Sequence, residues 1–410
     1  MVRYLCIFVQ QYPTFRYREL LAVASMFNIK IWGIDESLLP IIESDVLEIS
    51  SPFLYMDLES DEDVKKICSR TVLVRGFYRV WAESNTYQGL LDQLANNYDP
   101  EFISTFHKDK IWKIEFDSFG RRFSKEDQLE RMHRLKPSPL WSSGKVSMNP
   151  NGVNEHVVWR LTEDYGLSRD TPELMAERAQ EKEKEKEKEN EMTTTTTTTT
   201  DNQVEKGPQN MYLGILVAKG NRESISQFNL QDRKYLGTTS MDPELSIISA
   251  NMGHVRPGSF MLDPFVGTGS FVLISSYFGA QTVGCDIDVA AMRKTQTCNL
   301  ETNFEQLGLL DNLVGVVICD NSSAPWRDGP IFDCIITDPP YGIRAGAKRV
   351  GYNKNRRHKA PPEGFKWSHM AQTTEYKVPD VMADLLELAA KKLVIGGRLV
   401  YWLPTTPEYV

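Results

Sequence analysis

At 410 residues, 41% of them apolar and 25% charged, the chain has room for two or three globular domains, and its net charge of −8 excludes a uniformly basic nucleic-acid binder. No run approaches eighteen apolar residues and the apolar start 1–9 is too short for a secretory signal, so no membrane span is expected and the cytoplasm is the expected compartment. Six cysteines without a Cys-x-x-Cys pair read as free thiols of a reducing compartment, with no zinc site.

Residues 3–9 read as a strand. Residues 15–27 read as an amphipathic helix carrying Leu20, Leu21, Val23, Ala24 and Phe27, and 29–34 and 53–58 as further strands. A helix over 60–68 and a strand over 71–81 complete a ferredoxin-like order across 1–82. A second α/β unit is expected over 83–175, with helices at 87–97 and 125–135 and strands at 111–117, 145–148 and 156–162. Residues 108–145 hold ten Lys/Arg against six Asp/Glu, with Trp112, Phe116, Phe119 and Phe123 interleaved. That pattern suits an RNA-facing surface and equally a solvated face over an aromatic core. Residues 181–189 alternate Glu and Lys, and 193–200 are all threonine. Neither piece can bury enough apolar surface to offset ordering, so 176–207 is expected to be a disordered low-complexity linker.

The third unit is expected over 208–410, led by a strand at 212–218. Thr239-Ser240-Met241-Asp242-Pro243 reads as a helix start, with Ser240 or Asp242 as N-cap. Next, a short apolar strand over 259–262 ends at Asp263, and Pro264-Phe265-Val266-Gly267-Thr268-Gly269 leads into an apolar helix over 271–278. The glycines allow a cofactor to approach the backbone and the helix N-terminus. Val272 stands where a dinucleotide fingerprint has its third glycine, and Asp263 would repel a pyrophosphate. The turn therefore suits a cationic cofactor without phosphates, and S-adenosylmethionine, with its sulfonium and ammonium, fits. A strand over 281–285 ends at Asp286, nineteen residues after Gly267, where an acid caps ribose hydroxyls in Rossmann-like sheets. A strand over 313–319 ends at Asp320, whose carboxylate or adjacent backbone suits an adenine amino group.

A fourth apolar strand, 332–337, ends in Asp338-Pro339-Pro340-Tyr341. An amino group on an aromatic ring is a poor nucleophile, because its lone pair is delocalised into the ring. A carboxylate (Asp338) and a fixed carbonyl (Pro339) that accept its N–H bonds return electron density to it. Proline fixes φ and so the direction of the carbonyl, and Tyr341 offers a face for base stacking, which contributes about 1–3 kcal/mol. One strand-end acid alone is as readily a helix cap or turn former. Four in consecutive βα units point to one ligand site at the carboxyl ends of a parallel sheet. Between 344 and 366 stand eight basic residues, among them Arg344, Arg349, Arg356, Arg357 and Lys359, with Glu363 the only acid. A basic loop beside the catalytic turn is expected to meet RNA phosphates. A helix over 381–393, a stop at Gly396-Gly397 and a fifth strand over 398–403 end the pattern.

Several of these segments resemble one family. The chain from Met211 onward is similar to the methyltransferase domain of amino-group RNA and DNA methylases. More closely, Arg233-Lys234, Thr239-Ser240-Met241-Asp242, the stretch Asp263 to Gly269, Asp338-Pro339-Pro340-Tyr341-Gly342-Ile343-Arg344 and the stretch Gly396 to Pro404 resemble the eukaryotic tRNA guanine-10 N2-methyltransferase family, a catalytic subunit with an N-terminal THUMP region. The resemblance implies an α/β fold, with a Rossmann-like S-adenosylmethionine sheet at 208–410 and a THUMP domain at 83–175 that holds the acceptor end of tRNA. It also implies closure of the methionine end of the cofactor pocket by Thr239 and Ser240, and methylation of a guanosine N2 at tRNA position 10. Sheets of this kind continue past the fifth strand with a helix and an antiparallel hairpin, so this one is expected to lack its last strands. The family's small zinc-binding activator subunit is the implied partner. Strand 313–318, apolar and without Lys, Pro or charge, is expected at the sheet edge, where strand addition by that subunit would cover it. Two alternatives stay open: a DNA adenine N6-methyltransferase using the same motif, and a non-catalytic RNA-binding paralogue.

Overall fold

The computed structural model describes residues 1–34, 51–97, 111–142, 145–146, 156–166, 207–237, 240–295, 298–341, 346–351 and 373–404. Thr239, Arg344, Arg356, Arg357, Lys359 and linker residues 176–206 lie outside the described residues.

Strands β1 (Val2–Phe8), β2 (Phe53–Leu58), β3 (Val74–Ser84), β4 (Ile111–Phe119), β5 (Lys145–Val146), β6 (His156–Asp164) and β7 (Asn210–Lys219) form one sheet in the order β2-β1-β3-β7-β6-β4-β5. β2 alternates half-buried and buried positions, as a strand with one covered face should. The helix Asp61–Cys68 starts where Ser60 accepts from the Asp63 N–H at 3.3 Å, with three acids in its first turn facing the positive end of the helix dipole. The strand expected at 29–34 contributes only an isolated bridge between Trp32 and Asp57. Of the four interleaved aromatics, Trp112 and Phe119 are buried, Trp112 in one core cluster with Trp159, whereas Phe116 and Phe123 are half-buried.

β7 was expected at the head of the C-terminal unit. Instead it pairs antiparallel with both β3 and β6, Asn210 opposite Asp164. Apolar alternation marks a strand without naming its partner, so the sequence left the sheet of β7 open. The chain between β6 and β7 thus joins two neighbouring strands of one sheet, and the crossing into the second sheet follows Lys219.

The second sheet holds β8 (Phe260–Asp263), β9 (Gln281–Asp286), β12 (Leu313–Ile318), β13 (Phe332–Thr337) and β16 (Leu393–Tyr401), in the order β12-β9-β8-β13-β16 with every pairing parallel. Two small antiparallel ribbons accompany it: β10 (Arg293–Thr295) with β11 (Cys298–Asn299), and β14 (Lys348–Val350) with β15 (Thr373–Glu375). The helices Ser270–Tyr277 and Val378–Lys392 pack on the sheet, and β8 and β13 are buried on both faces apart from the exposed Asp333 near the start of β13, which explains their largely apolar sequences. Gly396, expected to stop the preceding helix, sits inside β16 at φ 81°, where the pairing with β13 slips from Phe332–Leu393 to Cys334–Arg398. The residue serves a bulge rather than a cap.

The two sheets share a core. Val72 and Leu73 pack in the same cluster as Ile247, Phe271 and Ile336. The seam carries a buried polar knot. Glu19 accepts from Val72 N at 3.0 Å, Leu73 N at 2.9 Å and Asn251 Nδ2 at 2.8 Å. Arg70 Nη1 donates to Val255 O at 2.7 Å, and its guanidinium lies 3.7 Å from the centroid of the Phe278 ring.

Candidate active site

All four strand-end acids expected from the sequence lie at the carboxyl ends of β8, β9, β12 and β13. Those strands are consecutive in the second sheet, so the acids share one rim. Order β12-β9-β8-β13 places the reversal of winding between β8 and β13, and ligands bind outside such a switch point.

Asp263 is 1% exposed and floors the rim. Its Oδ1 accepts from Thr337 Oγ1 at 2.7 Å and from Phe265 N at 3.1 Å. Burial pushes its carboxyl up to about 7, the two hydrogen bonds opposing and the charges of Asp286 and Asp338 adding to the rise. So deep a carboxylate acts on a ligand as a field rather than as an open acceptor. Asp286 reaches back to the glycine turn: Oδ2 accepts from Gly267 N at 3.0 Å and Oδ1 from Asp288 N at 2.8 Å. Burial raises this carboxyl also. Gly267 and Gly269 take φ of 48° and 84°. A Cβ at Gly269 would lie 2.5 Å from Leu300 Cδ1, so this turn admits only glycine.

Asp338 is half-buried, and burial raises its carboxyl above the ordinary range. Pro339 behind it is buried. Burial and the nearby Asp338 charge push the Tyr341 phenol up, while its hydroxyl, wholly covered, makes no geometrically sound hydrogen bond among the described residues. Ser240 Oγ is 2.8 Å from Thr268 Oγ1, inside the Gly-x-Gly turn.

Asp320 departs from the sequence expectation. Its Oδ1 accepts from Ser322 N at 2.9 Å and its Oδ2 from Val350 N at 2.6 Å, so, as at Asp286, each oxygen already holds one backbone donor, here one of them from a ribbon distant in sequence. Of the basic loop, Arg349 is described; its guanidinium lies 4.0 Å from Asp380 and 5.8 Å from the Tyr376 ring centroid, at the foot of the loop. Sequence reasoning missed three participants. Thr337 and Thr268 are buried hydroxyls beside a motif acid and between motif glycines, a signal legible only as polarity where apolar residues belong. Arg233 donates to Ser270 Oγ at 3.0 Å at the N-terminus of the helix after the glycine turn, and burial pulls its guanidinium down to about 10. A cavity of about 280 Å³ lies elsewhere, lined by Phe8, Phe53, Arg75, Asp117 and Phe119 of the first sheet, and none of the strand-end acids lines it.

Asp263, Asp286 and Asp338 have no ion-pair partner among the described residues. Three un-neutralised acids on one rim would repel a phosphate-bearing cofactor and favour a cationic one, so the residues fit S-adenosylmethionine.

Comparison with known proteins follows the same division. Residues 2–175 match the family described as Tmrp11 THUMP N-terminal domain, and residues 231–354 the RMKL-like methyltransferase domain. The chain is 50% identical over 411 aligned residues to the tRNA (guanine(10)-N(2))-methyltransferase TRMT11 of Dictyostelium discoideum, covering 100% of this chain and 75% of that one. It is 32% identical to the Homo sapiens protein of the same name, over 99% of this chain and 81% of that one. Among solved structures, TrmN from Thermus thermophilus aligns over 83% of this chain and 80% of its own, at 14% identity and a TM-score of 0.39.

Proposed function

The chain belongs to the tRNA (guanine(10)-N(2))-methyltransferase family, and from that premise we propose which of its residues carry the reaction. The protein is an S-adenosylmethionine-dependent methyltransferase acting on the exocyclic N2 of a guanosine in tRNA. The observation that carries the residue assignment is the gathering of un-neutralised acids on one rim, beside a buried proline and a tyrosine.

S-adenosylmethionine, when bound, supplies an electrophilic methyl group. Asp286 is the acceptor for its ribose hydroxyls. Phe265, Gly267, Gly269 and Ser240, with Thr239, wall its methionine end, and Asp263, whose carboxyl gives up its proton around pH 7, lies beneath. Asp320 borders its adenine end. Asp338 accepts one N–H of the guanine amino group and the Pro339 carbonyl the other, which holds the nitrogen lone pair out of conjugation. Pro340 fixes the turn and Tyr341 stacks on the base. Burial raises the proton affinity of the Asp338 carboxyl above that of an ordinary aspartate, which suits it to take the proton that the amino group loses. Arg349 at the foot of the basic loop, with Arg344, Arg356, Arg357 and Lys359, contacts tRNA phosphates. The N-terminal sheet, 1–82 with the THUMP region to 175, grips the rest of the tRNA.

A small zinc-binding activator subunit adds a strand along β12. What supports this is the position of β12 at the sheet edge and the exposure of Val314 and Ile318, 59% each. The reading includes a cytoplasmic place of action; among the described residues no helix is long and apolar enough to cross a membrane. The test is methyl transfer to total tRNA followed by nucleoside analysis, with duplex DNA alongside. N2-methylguanosine at position 10 is expected, and N6-methyladenine in the DNA would displace the reading.

A further inference from the structure

We propose that Cys285 and Cys319 form a reversible disulfide between two neighbouring strand ends, a modification site at which oxidation by a hydroperoxide weakens cofactor binding. This rests on the reading that Asp286 and Asp320 border the cofactor. Each cysteine immediately precedes one of those acids. β9 and β12 pair in parallel with Cys285 opposite Val317, and Cys319 N donates to Asp286 O at 3.1 Å. Cys319 is two residues beyond Val317, so both thiols rise from the same face of the sheet. They share an apolar cluster with Leu385 and Leu388 of the helix Val378–Lys392. Cys285 donates a hydrogen bond to the Cys319 sulfur, and its own Sγ lies 3.6 Å from Asn321 Oδ1 and 3.8 Å from Pro264 O.

The two thiols differ as a redox couple requires. Cys285 is fully buried, and its hydrogen bond to Cys319 and its burial push its thiol up. Cys319 is half-buried, and the hydrogen bond from Cys285 holds its thiol below the ordinary range, although burial and the Asp320 charge oppose. An open, acidified thiol beside a buried partner is the arrangement in which the first is oxidised and the second resolves. The Cys319 thiolate attacks hydrogen peroxide: an S–O bond forms, the O–O bond breaks, and the hydroxide released takes up the thiol proton as water. The Cys285 sulfur then displaces the sulfenic hydroxyl, which leaves with the Cys285 proton as a second water. Two thiols and one peroxide become one disulfide and two waters, and a dithiol returns the two electrons. Cys6 and Cys68 share the core of the first sheet, but neither is open to solvent. An S–S bond is about 2.05 Å long, shorter than any hydrogen bond between thiols, so closing it draws the ends of β9 and β12 together. The next residue on each is a rim acid. Asp286 holds Gly267 N at 3.0 Å, so its displacement carries the glycine turn with it. Cofactor affinity falls, and by reciprocity a bound cofactor resists formation of the bond.

The test treats the full chain with hydrogen peroxide, then removes the peroxide. Mass spectrometry of the unreduced tryptic digest reads the link. Calorimetry reads S-adenosylhomocysteine binding before treatment, after it, and after dithiothreitol. A link between Cys285 and Cys319 is expected, with binding about 5–150-fold weaker and restored by dithiothreitol. Cys298 and Cys319 fall in one tryptic peptide, so Cys298→Ser fixes the assignment and should still form the link. Cys319→Ser should bind as reduced wild type does and keep that affinity through peroxide. Should that variant fold poorly, the wild type decides: S-adenosylhomocysteine should slow formation of the link. Absence of the link, a link that leaves affinity unchanged, or a rate of linking that S-adenosylhomocysteine does not alter overturns the switch. Asp286→Ala, kept reduced, separates the two layers. If it binds S-adenosylhomocysteine as tightly as wild type, the cofactor-site reading itself fails. If it binds weakly while peroxide leaves wild-type affinity intact, only the switch fails.

Discussion

In the first sheet Glu163, 1% exposed, takes Arg131 Nε at 3.0 Å and Nη2 at 2.9 Å in a two-pronged pair. Glu115 lies between Arg160 and Lys113, and although burial opposes it, their hydrogen bonds hold its carboxyl down to about 2. In the second sheet Asp263, equally buried, meets a threonine hydroxyl and one backbone N–H but no cation, and its carboxyl rises to about 7. Asp286 and Asp338 rise for the same reason. Buried acids that serve only the fold are neutralised by arginines of their own chain; those left without a cation await one from outside. Glu19 stands between the two cases. It lies on the seam, pushed up to about 7 by burial, yet fully occupied by two backbone N–H groups and Asn251. A raised carboxyl alone therefore does not mark a site; its place on a ligand-facing rim has to be counted with it.

That contrast is easiest to break at Asp338. Asp338→Ala should cost about 10²–10⁴ in methyl-transfer rate, as removal of a positioned proton acceptor does, with S-adenosylhomocysteine affinity and melting temperature nearly unchanged. Near-normal turnover would remove Asp338 from the chemistry and with it the functional half of the comparison. Arg131→Ala probes the other half. It strands Glu163 in the core, and breaking a buried pair costs about 3–5 kcal/mol, so chemical denaturation should show a large loss of stability. Cofactor affinity measured well below the melting temperature should not change; a specific loss of cofactor binding would contradict a purely structural role.

The smallest effect sharpens the comparison through pH. Asp263 holds its proton in the folded state up to about pH 7, whereas an unfolded aspartate loses it near 3.9. Between those values the folded state binds more protons, so Asp263 lowers stability as pH rises from about 4 to about 7, and the loss levels off above. Glu19 acts in the same direction. Glu115, held low, acts oppositely: its contribution is complete above the unfolded value and is lost as pH falls toward about 2. Asp263→Asn should flatten the decline between pH 5 and 7.5 by about 2–3 kcal/mol. Parallel curves for wild type and variant would show that Asp263 is already ionised well below neutrality.

Most of the rim was legible because its chemistry is local. A strand, an acid and a glycine turn occupy consecutive residues, and Asp338-Pro339-Pro340-Tyr341 stands as four consecutive residues at a strand end. What escaped depends on partners distant in sequence. β7 looks the same whether it joins one sheet or the other, and only pairing with β3 and β6 decides. The β14–β15 ribbon is closed by residues more than twenty positions apart, too far for any turn signal. Asp320 was read as offering its carboxylate or the adjacent backbone to a ligand, and nothing near it in sequence foretells the Val350 N–H on its carboxylate. Gly396 was read as a helix stop because glycine's freedom serves a bulge as readily as a cap.

The pairing of β6 with β7 changes what the Glu-Lys and threonine runs are. With Gln209 N donating to Asp164 O at 2.6 Å, the two ends of that segment are held side by side by an antiparallel ladder. Closing a loop of this kind becomes costlier only with the logarithm of its length, about 0.6 kcal/mol for each doubling. Repeats can be gained or lost there with almost no energetic consequence, because the distance the segment spans is fixed by the ladder and not by the residues between. A monotonous, expandable stretch of sequence is what such a position tolerates, and the same stretch would be a natural place to insert a reporter domain without disturbing either sheet.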